Sequence, residues 1–179
     1  AYNLARKVGF ENINMDFIAG LNGDTLDSFK NSIDTAVDMG ADSVTVHNLA
    51  LKSGAYLVTE KEYFDLSQRN TAYNMIDYSA QKLSHSGYYP YYMYRQSKSL
   101  GNLENVGWCK SNKDCLYNVF MMDETHTVLA AGAGAVTKLK NPQTSHIERI
   151  YNFKYPYEYI NDFQVLIDRK SQIVDFYNK

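Results

Sequence analysis

The sequence predicts an α/β fold in which parallel βαβαβ units are followed by an antiparallel β extension and a C-terminal helix. Two strand-like segments are each followed by a helix-like segment, and a third strand-like segment comes next, an order that produces a parallel sheet. Later segments are short and strand-like with little helix between them, which favours antiparallel pairing. We assign residues 1–95 to the parallel part, 96–155 to an antiparallel extension of the same domain, and 156–179 to the terminal helix.

The parallel part is predicted from alternating residues and from helix-ending signals. Apolar and polar residues alternate over residues 12–18, and two further segments, 43–49 and 88–95, also have the character of strands. After the first strand, Asp24 is expected to cap a helix that Gly40 ends.

A second and longer helix is predicted between the second and third strands. Thr59 and Glu62 have the spacing of a capping box at its start, and Gly87 is expected to end it. A helix in this position provides the crossover that two parallel strands require.

The antiparallel extension is predicted from four strand-like segments. These segments are residues 117–122, 126–131, 135–139 and 147–153. Asp123, Glu124 and Thr125 have the character of a turn, so the first two segments are expected to form a hairpin. One continuous helix is predicted to start near Pro156.

The first residues have the pattern of the end of a helix rather than of its beginning. Residues 4–10 are amphipathic and Gly9 is placed as a C-terminal cap, but no N-cap or sufficient length precedes them. We therefore expect the chain to be part of a longer protein. The alternative is a short N-terminal helix of a complete protein.

Composition excludes several functional classes. A formal net charge of −2 with scattered Lys and Arg argues against nucleic-acid binding, which calls for a basic patch. No run of residues approaches the roughly 18–20 apolar residues of a membrane span. Two cysteines do not make a disulfide framework. A cytoplasmic protein is the simplest interpretation.

The first predicted strand carries the most informative polar residues. Asn14 and Asp16 share one face near its C-terminal end, where ligands bind in α/β proteins. A carboxylate at this position is able to accept hydrogen bonds from both hydroxyls of a ribose. The alternative is a carboxylate that caps the backbone amides of the following loop.

Residues 9–21 resemble a segment of the coproporphyrinogen III oxidase-like radical S-adenosylmethionine (SAM) enzymes that has the pattern N-x-D-x-I-x-G-L-P-G. Asp24, Thr25 and Phe29 continue the pattern, whereas Asn22 stands where the family usually has proline. That difference is expected to loosen the loop without removing a catalytic group.

The similarity extends over most of the chain. Residues 41–50 resemble the next barrel strand of the family, and several later segments resemble the branch called coproporphyrinogen dehydrogenase HemZ. These later segments are Arg95-Gln96, residues 101–107, Tyr117-Asn118 and residues 132–135. The resemblance implies the C-terminal part of a radical SAM TIM-type barrel, present here as an open partial barrel that ends at residue 95.

The resemblance also implies a cofactor site. Radical SAM enzymes bind SAM and a [4Fe–4S] cluster, and Asp16 matches the acidic residue of the family that contacts SAM. Ala50 and Val136 match small or apolar positions beside the adenosine of SAM. Asn14 and His47 lie on strand faces that point towards the barrel interior, and both are tentative contacts to substrate or SAM.

The cluster ligands are absent from this chain. Cys109 and Cys115 do not have the C-x3-C-x2-C spacing that the family uses, and no third cysteine exists. His residues have no ligand spacing with these cysteines, so no metal site and no catalytic residue is expected in the fragment. The cluster would bind upstream of Ala1.

Arg95 and Gln96 are candidates for a second type of contact. Arg95 ends the third predicted strand and Gln96 follows it, and we expect both to face the mouth of the active site. Arginine is suited to bidentate binding of a carboxylate, which substrate and SAM both offer.

For the full-length protein, the resemblance implies oxidative decarboxylation of coproporphyrinogen III to protoporphyrinogen IX through a radical generated from SAM, a step of haem biosynthesis. The expected partners are the tetrapyrrole substrate and an electron donor such as flavodoxin or ferredoxin. The fragment is expected to be inactive alone and to form an open sheet, with a possible homodimer through its free edge. Alternatives are a haem chaperone, a methyltransferase, or a non-enzymatic α/β binding domain.

Overall fold

A computed structural model describes residues 1–50, 66–97 and 99–178 of the protein. The chain forms two compact units, Ala1–Leu116 and Tyr117–Lys179. The divisions predicted at residues 95 and 155 separate parallel strands, antiparallel strands and a helix, whereas these two units separate compact parts of the chain. The predicted divisions therefore stay predictions.

The first unit contains most of the regular structure. Its elements in chain order are α1 (Tyr2–Val8), β1 (Asn14–Ala19), α2 (Leu26–Asp38), β2 (Ser43–Asn48), α3 (Leu66–His85), β3 (Tyr89–Tyr94), a 3-10 turn (Leu100–Asn102) and β4 (Asn105–Cys109). The three strands and the first helix predicted for the parallel part are therefore confirmed within one or two residues, as is the end of the second helix before Gly87. The predicted capping box of Thr59 and Glu62 lies outside the described residues.

The start of α2 differs in one residue from the prediction. Thr25, not Asp24, is the N-cap, because its side-chain oxygen accepts a hydrogen bond from the Ser28 amide. Asp24 instead accepts a hydrogen bond from the Thr25 amide, which holds the capping residue in place. The end of α1 is as predicted, with Gly9 in the left-handed conformation at φ 107°.

The sheet of the first unit is open and mixed. Its strand order is β1-β2-β4-β3, with β1 parallel to β2 and β4 antiparallel to both of its neighbours. The three predicted strands therefore run in the same direction. The sequence predicted that these three strands form a parallel sheet. In the structure, β2 and β3 are not neighbours, because the antiparallel strand β4 lies between them. The sequence analysis did not predict β4.

Two helices cover one face of this sheet. Phe29, Ile33 and Ala36 of α2 and residues of α3 such as Met75 and Leu83 are buried against it. The sheet contributes apolar residues that alternate along its strands with polar residues. The apolar residues are Met15, Phe17, Ala19, Val44, Val46 and Trp108. The opposite side of the sheet, which we call the site face, carries the alternate residues of the same strands.

The second unit is smaller and departs further from the prediction. Its elements are α4 (Leu116–Asp123), β5 (Val136–Lys140), β6 (Ile147–Tyr151), α5 (Pro156–Asn161), α6 (Phe163–Arg169) and α7 (Ser171–Tyr177). The antiparallel pair β5–β6 confirms the predicted strands at 135–139 and 147–153. Its small core is Leu139, Ile150 and Leu166.

Three predictions for the second unit are wrong. Residues 117–122 form α4 rather than a strand, so the hairpin predicted around residues 123–125 does not form. Residues 126–131 contribute only an isolated bridge, between Val128 and Lys138. The predicted C-terminal helix is divided into α5, α6 and α7, with breaks at Asp162 and Lys170.

Within the described ranges, none of the helices combines the length and the apolar character that crossing a membrane requires.

Candidate ligand-binding site

The candidate site lies on the site face of the first unit, where four strands bring polar and aromatic side chains together. Strand register places Asp16 beside Thr45, Thr45 beside Gly107, and Gly107 beside Tyr92. Side chains alternate along a strand, so Asn14, His47 and Tyr94 lie on the same face. The site residues are Asn14, Asp16, Thr45, His47, Tyr92, Tyr94 and Gly107.

Asp16 is the acid of this group, and its side chain is accessible to a ligand. Its side chain is 60% exposed. The Nδ2 atom of Asn14 donates to Asp16 Oδ1 at 2.6 Å, and His47 Nε2 lies 3.7 Å from Asp16 Oδ2. The His47 imidazole, followed by the Asn14 amide and the Thr45 hydroxyl, lowers the pKa of the Asp16 carboxyl below its ordinary value. Asp16 is therefore ionised at neutral pH.

A row of polar side chains reaches Asp16 Oδ2 from β3. The hydroxyl of Tyr94 lies 3.2 Å from Nδ1 of His47, whose other nitrogen faces the carboxylate. The two rings meet edge to face, with centroids 6.3 Å apart. Burial, followed by the negative charge of Asp16, raises the pKa of Tyr94, so its hydroxyl keeps its proton at neutral pH.

A second row reaches the other carboxylate oxygen. The Tyr92 hydroxyl lies 3.5 Å from Thr45 Oγ1, Thr45 Oγ1 donates to Asn14 Oδ1 at 3.3 Å, and Asn14 donates to Asp16 Oδ1. The rings of Tyr92 and Tyr94 are nearly parallel, with centroids 6.2 Å apart. Two tyrosines of one strand therefore support both oxygens of one carboxylate.

Gly107 makes room for this arrangement. A Cβ atom at this position would lie 1.9 Å from Cε1 of Tyr92, a distance that no side chain is able to occupy. The Tyr92 ring therefore lies over the backbone of β4, where it reaches Thr45 and covers it.

The chemistry of this site is that of a preorganised acceptor. Asn14 donates to one oxygen of Asp16, the His47 ring lies beside the other, and the exposed side of the carboxylate keeps lone pairs for a ligand. An ionised carboxylate accepts but does not donate hydrogen bonds. The site is therefore suited to a ligand with two adjacent hydroxyl groups.

The structure brings together three of the seven site residues predicted from the sequence, which are Asn14, Asp16 and His47. Ala50 is the second residue after the end of β2 and forms an isolated bridge with Ser99, so it belongs to the same unit. Val136 begins β5 in the second unit, where it lines an open groove of about 630 Å³ together with Ala135, Leu129 and Tyr151. The predicted roles of these two residues remain predictions.

Arg95 and Gln96 follow the end of β3. The guanidinium of Arg95 is 2.9 Å from the carboxylate of Glu104 and the side chain is 56% exposed. Gln96 is half-buried, and its carbonyl accepts a hydrogen bond from the Ser99 amide. Arg95 thus already binds a carboxylate of the protein.

Cys109 does not have the character of a metal ligand. Cys109 is buried, its thiol lies 3.4 Å from a carboxylate oxygen of Asp114, and burial raises its pKa to about 11. A thiol in this state is not the thiolate that binds metals at neutral pH. In the part of the chain that the structure describes, there is no group of three or more His, Cys, Asp or Glu residues placed to bind a metal ion.

Four residues of the site were not predicted from the sequence, namely Thr45, Tyr92, Tyr94 and Gly107. Tyr92 and Tyr94 have the two-residue spacing of one strand face, which was an available signal. That spacing does not reveal which strand lies next to β3. Gly107 lies on β4, a strand that was not predicted, so its proximity to Tyr92 had no signal in the sequence.

Similar proteins were found by sequence and by structure, although no protein-family model matches the chain. The chain is 33% identical over 174 residues to the oxygen-independent coproporphyrinogen-III oxidase-like protein HemZ of Bacillus subtilis, covering 97% of this chain and 35% of that protein. It is 26% identical over 165 residues to the haem chaperone HemW of the same organism, covering 88% of this chain and 40% of HemW.

A solved structure has the same fold. The chain aligns with coproporphyrinogen III oxidase (HemN) from Escherichia coli, described as a radical SAM enzyme, with a TM-score of 0.55 and 16% identity. The alignment covers 89% of this chain and 36% of HemN. The expected open α/β fold, a fragment of the fold of HemN, is confirmed. The chain spans about a third of the length of these relatives, and it belongs to the family of oxygen-independent coproporphyrinogen-III oxidase-like proteins.

Proposed function

We propose that the chain is the C-terminal part of a radical SAM enzyme that converts coproporphyrinogen III into protoporphyrinogen IX, and that Asp16 binds the ribose of SAM. One observation carries the proposal. Asp16 is an ionised carboxylate on the site face of a parallel strand, Asn14 donates to one of its oxygens, the His47 ring lies beside the other, and it is open to a ligand. The similarity to HemZ over 97% of the chain supports the reaction class.

The residues of the site fit SAM in chemical terms. The ribose of SAM has two adjacent hydroxyls, which are donors, and Asp16 offers two acceptor oxygens. Asn14 and His47 hold the carboxylate from the protein side, so that binding does not require it to reorient. When bound, SAM would supply the radical chemistry of the family.

We further propose that Ala50 lies beside the adenosine, because its side chain is small, as a surface for an adenine ring requires. The role expected for Val136, which belongs to the second unit, stays a prediction. Arg95 is proposed to bind a carboxylate of substrate or SAM in exchange for Glu104. The present Arg95–Glu104 pair supports this role, because exposed ion pairs are weak and readily exchanged.

The residues of this chain do not fit a [4Fe–4S] cluster. It has two cysteines, and Cys109 is a buried, protonated thiol. We therefore assign no electron-transfer step to this chain. In the proposal, the cluster and the contact with an electron donor such as flavodoxin or ferredoxin belong to other parts of a cytoplasmic full-length protein. The homodimer predicted from the sheet edge stays a prediction.

The test is SAM binding by the full-length protein and its Asp16→Asn variant, measured anaerobically by equilibrium dialysis. Asparagine keeps the size of aspartate but removes the charge and one acceptor, so the SAM affinity should fall by about tenfold or more, the worth of a charged hydrogen bond. Asp27→Asn, an exposed carboxylate on α2, is the matched control and should leave the affinity unchanged. Equal affinity of wild type and Asp16→Asn would refute the assignment.

A haem chaperone is the second candidate function. Its support is the similarity to HemW proteins of Bacillus subtilis and Mycobacterium tuberculosis, each 26% identical to the chain. Haem titration distinguishes the two functions in the same preparation. Stable haem binding without decarboxylation of coproporphyrinogen III favours the chaperone, whereas SAM cleavage coupled to product formation favours the enzyme.

A further inference from the structure

We propose that Tyr94 is a positioning residue that holds His47 in the tautomer with the proton on Nε2, and that His47 thereby holds the Asp16 carboxylate for its ligand. This inference deepens the proposed function of the same site and rests on it for the identity of the ligand. The segment that resembles the SAM-contacting pattern of the family, residues 9–21, contains Asp16 but neither His47 nor Tyr94.

The three side chains form a continuous row across the sheet. Tyr94 is on β3, His47 on β2 and Asp16 on β1, and Tyr94 reaches His47 across β4. His47 lies opposite Ile18 in the register, so it reaches Asp16 diagonally, as long side chains do between neighbouring strands. The Tyr94 hydroxyl is 3.2 Å from Nδ1, and Oδ2 of Asp16 is 3.7 Å from Nε2.

The positions of the protons follow from the two ends of this row. Asp16 is ionised because hydrogen bonds lower its pKa, so it only accepts. The imidazole nitrogen that faces it is most stable when it carries hydrogen. In the neutral ring Nδ1 is then an acceptor, and the hydroxyl of Tyr94 is its donor. A tyrosine with a raised pKa retains the proton that this role requires.

The opposite tautomer would weaken the site. With hydrogen on Nδ1, the lone pair of Nε2 would face the lone pairs of Asp16 Oδ2, and the carboxylate would lose a donor. Removal of the Tyr94 hydroxyl makes this tautomer more accessible, because Nδ1 no longer accepts a hydrogen bond. Asp16 itself is untouched by that change.

The surrounding packing keeps the Tyr94 ring in position without its hydroxyl. The ring is stacked against Tyr92 at an interplanar angle of 6°, and it meets the His47 ring at its edge. Phenylalanine at position 94 is therefore expected to occupy the same place. The Tyr94→Phe variant removes a hydrogen bond and leaves the packing of the strand unchanged.

The first experiment reads the tautomer directly. The imidazole nitrogens of the ¹⁵N-histidine-labelled full-length protein are observed by NMR at pH 8, and His47→Gln identifies the signals of His47. We expect Nε2–H in the wild type and a mixture of tautomers in Tyr94→Phe. Tyr92→Phe is the control, because it removes the neighbouring hydroxyl in the other row, and it should retain Nε2–H. Hydrogen on Nδ1 or on both nitrogens in the wild type, or no change in Tyr94→Phe, would overturn the proposal.

The second experiment tests the effect on Asp16 through a double-mutant cycle of SAM affinity. Loss of one hydrogen bond should lower the affinity of Tyr94→Phe roughly 3- to 10-fold. Glutamine at position 47 carries an amide donor and has no tautomers, so His47→Gln should largely retain binding. Adding Tyr94→Phe to His47→Gln should then have no further effect. An equal loss in both backgrounds would contradict a role through the tautomer.

The two experiments separate this inference from the proposed function. A Tyr94-dependent tautomer without any SAM binding would refute SAM as the ligand and leave the positioning role standing. Binding of SAM with a tautomer that does not depend on Tyr94 would refute the positioning role alone.

Discussion

Gly107 illustrates how one residue without a side chain shapes the site at the level of single atoms. It lies on β4 opposite Tyr92, and the ring of Tyr92 occupies the space where any other residue would have its Cβ atom. The Tyr92 hydroxyl thereby reaches Thr45, which continues to Asn14 and to Asp16. The position of Asp16 thus depends on a residue two strands away.

Gly107→Ala should displace the Tyr92 ring and destabilise the protein. The added methyl group would overlap the ring, and overpacking of this kind costs about 1–3 kcal/mol. Urea unfolding measures the change in the free energy of unfolding. Tyr92→Ala removes the obstacle, so in its background Gly107→Ala should cost much less. Additive effects of the two substitutions would show that the contact between them is not the cause.

At the scale of secondary-structure elements, Asp34 connects the two helices that cover the sheet. It lies on α2 and accepts a hydrogen bond from the Tyr78 hydroxyl of α3 at 2.7 Å, and it is 2.9 Å from the ammonium group of Lys82. The hydrogen bond from Tyr78, followed by that from Lys82, lowers the pKa of the Asp34 carboxyl. This pair of helices thus has an acid-sensitive contact.

The sign of the pH effect follows from the direction of that pKa shift. A carboxyl whose pKa is lower in the folded state stabilises the protein above its unfolded pKa, of about 4, and loses that contribution as the pH falls through the folded pKa. Asp34→Asn should therefore lower the unfolding midpoint more at pH 7 than at pH 3. Glu11→Gln, an exposed carboxyl before β1, is the control and should show a smaller dependence on pH. An Asp34→Asn effect that is equal at both pH values would disprove the assignment.

Across the whole first unit, the apolar core and the proposed binding site lie on opposite faces of one sheet. The helix-covered face contains the buried apolar residues of β1 and β2 together with those of α2 and α3. The site face contains the polar network around Asp16. Substitutions on the two faces should therefore have separable consequences.

Ile33→Ala and Ile18→Ala form a matched pair for this division. Ile33 is fully buried in α2, so its truncation should cost about 2–5 kcal/mol of unfolding free energy. Ile18 is 42% exposed on the site face, and its truncation should cost about 1 kcal/mol or less. Chemical denaturation of the two variants measures both values. Equal losses of unfolding free energy in the two variants would contradict this division between the two faces.

The parts of the fold that depend on local pattern were predictable. Alternation over residues 12–18 predicted β1, and the glycines and capping residues around α2 predicted its bounds to within a residue or two. Residues 117–122 were predicted wrongly, because a short run rich in aromatic and apolar residues has no period that distinguishes a strand from a helix. Leu and Met favour the helix that is observed there.

The shared strand face of Asn14 and Asp16 was predictable from the same alternation. Their expected place near the C-terminal end of the strand is wrong, because β1 begins at Asn14 and Asp16 is the third of its six residues. Local patterns in the sequence predict β1, β2, their parallel direction and the polar residues on one of their faces. Only the folded chain shows that β4 lies between β2 and β3, and that Gly107 thereby admits Tyr92. Tyr94 on β3 therefore reaches His47 on β2 across β4. Strand order depends on pairing between distant segments, and no local period of residues encodes which strand becomes a neighbour.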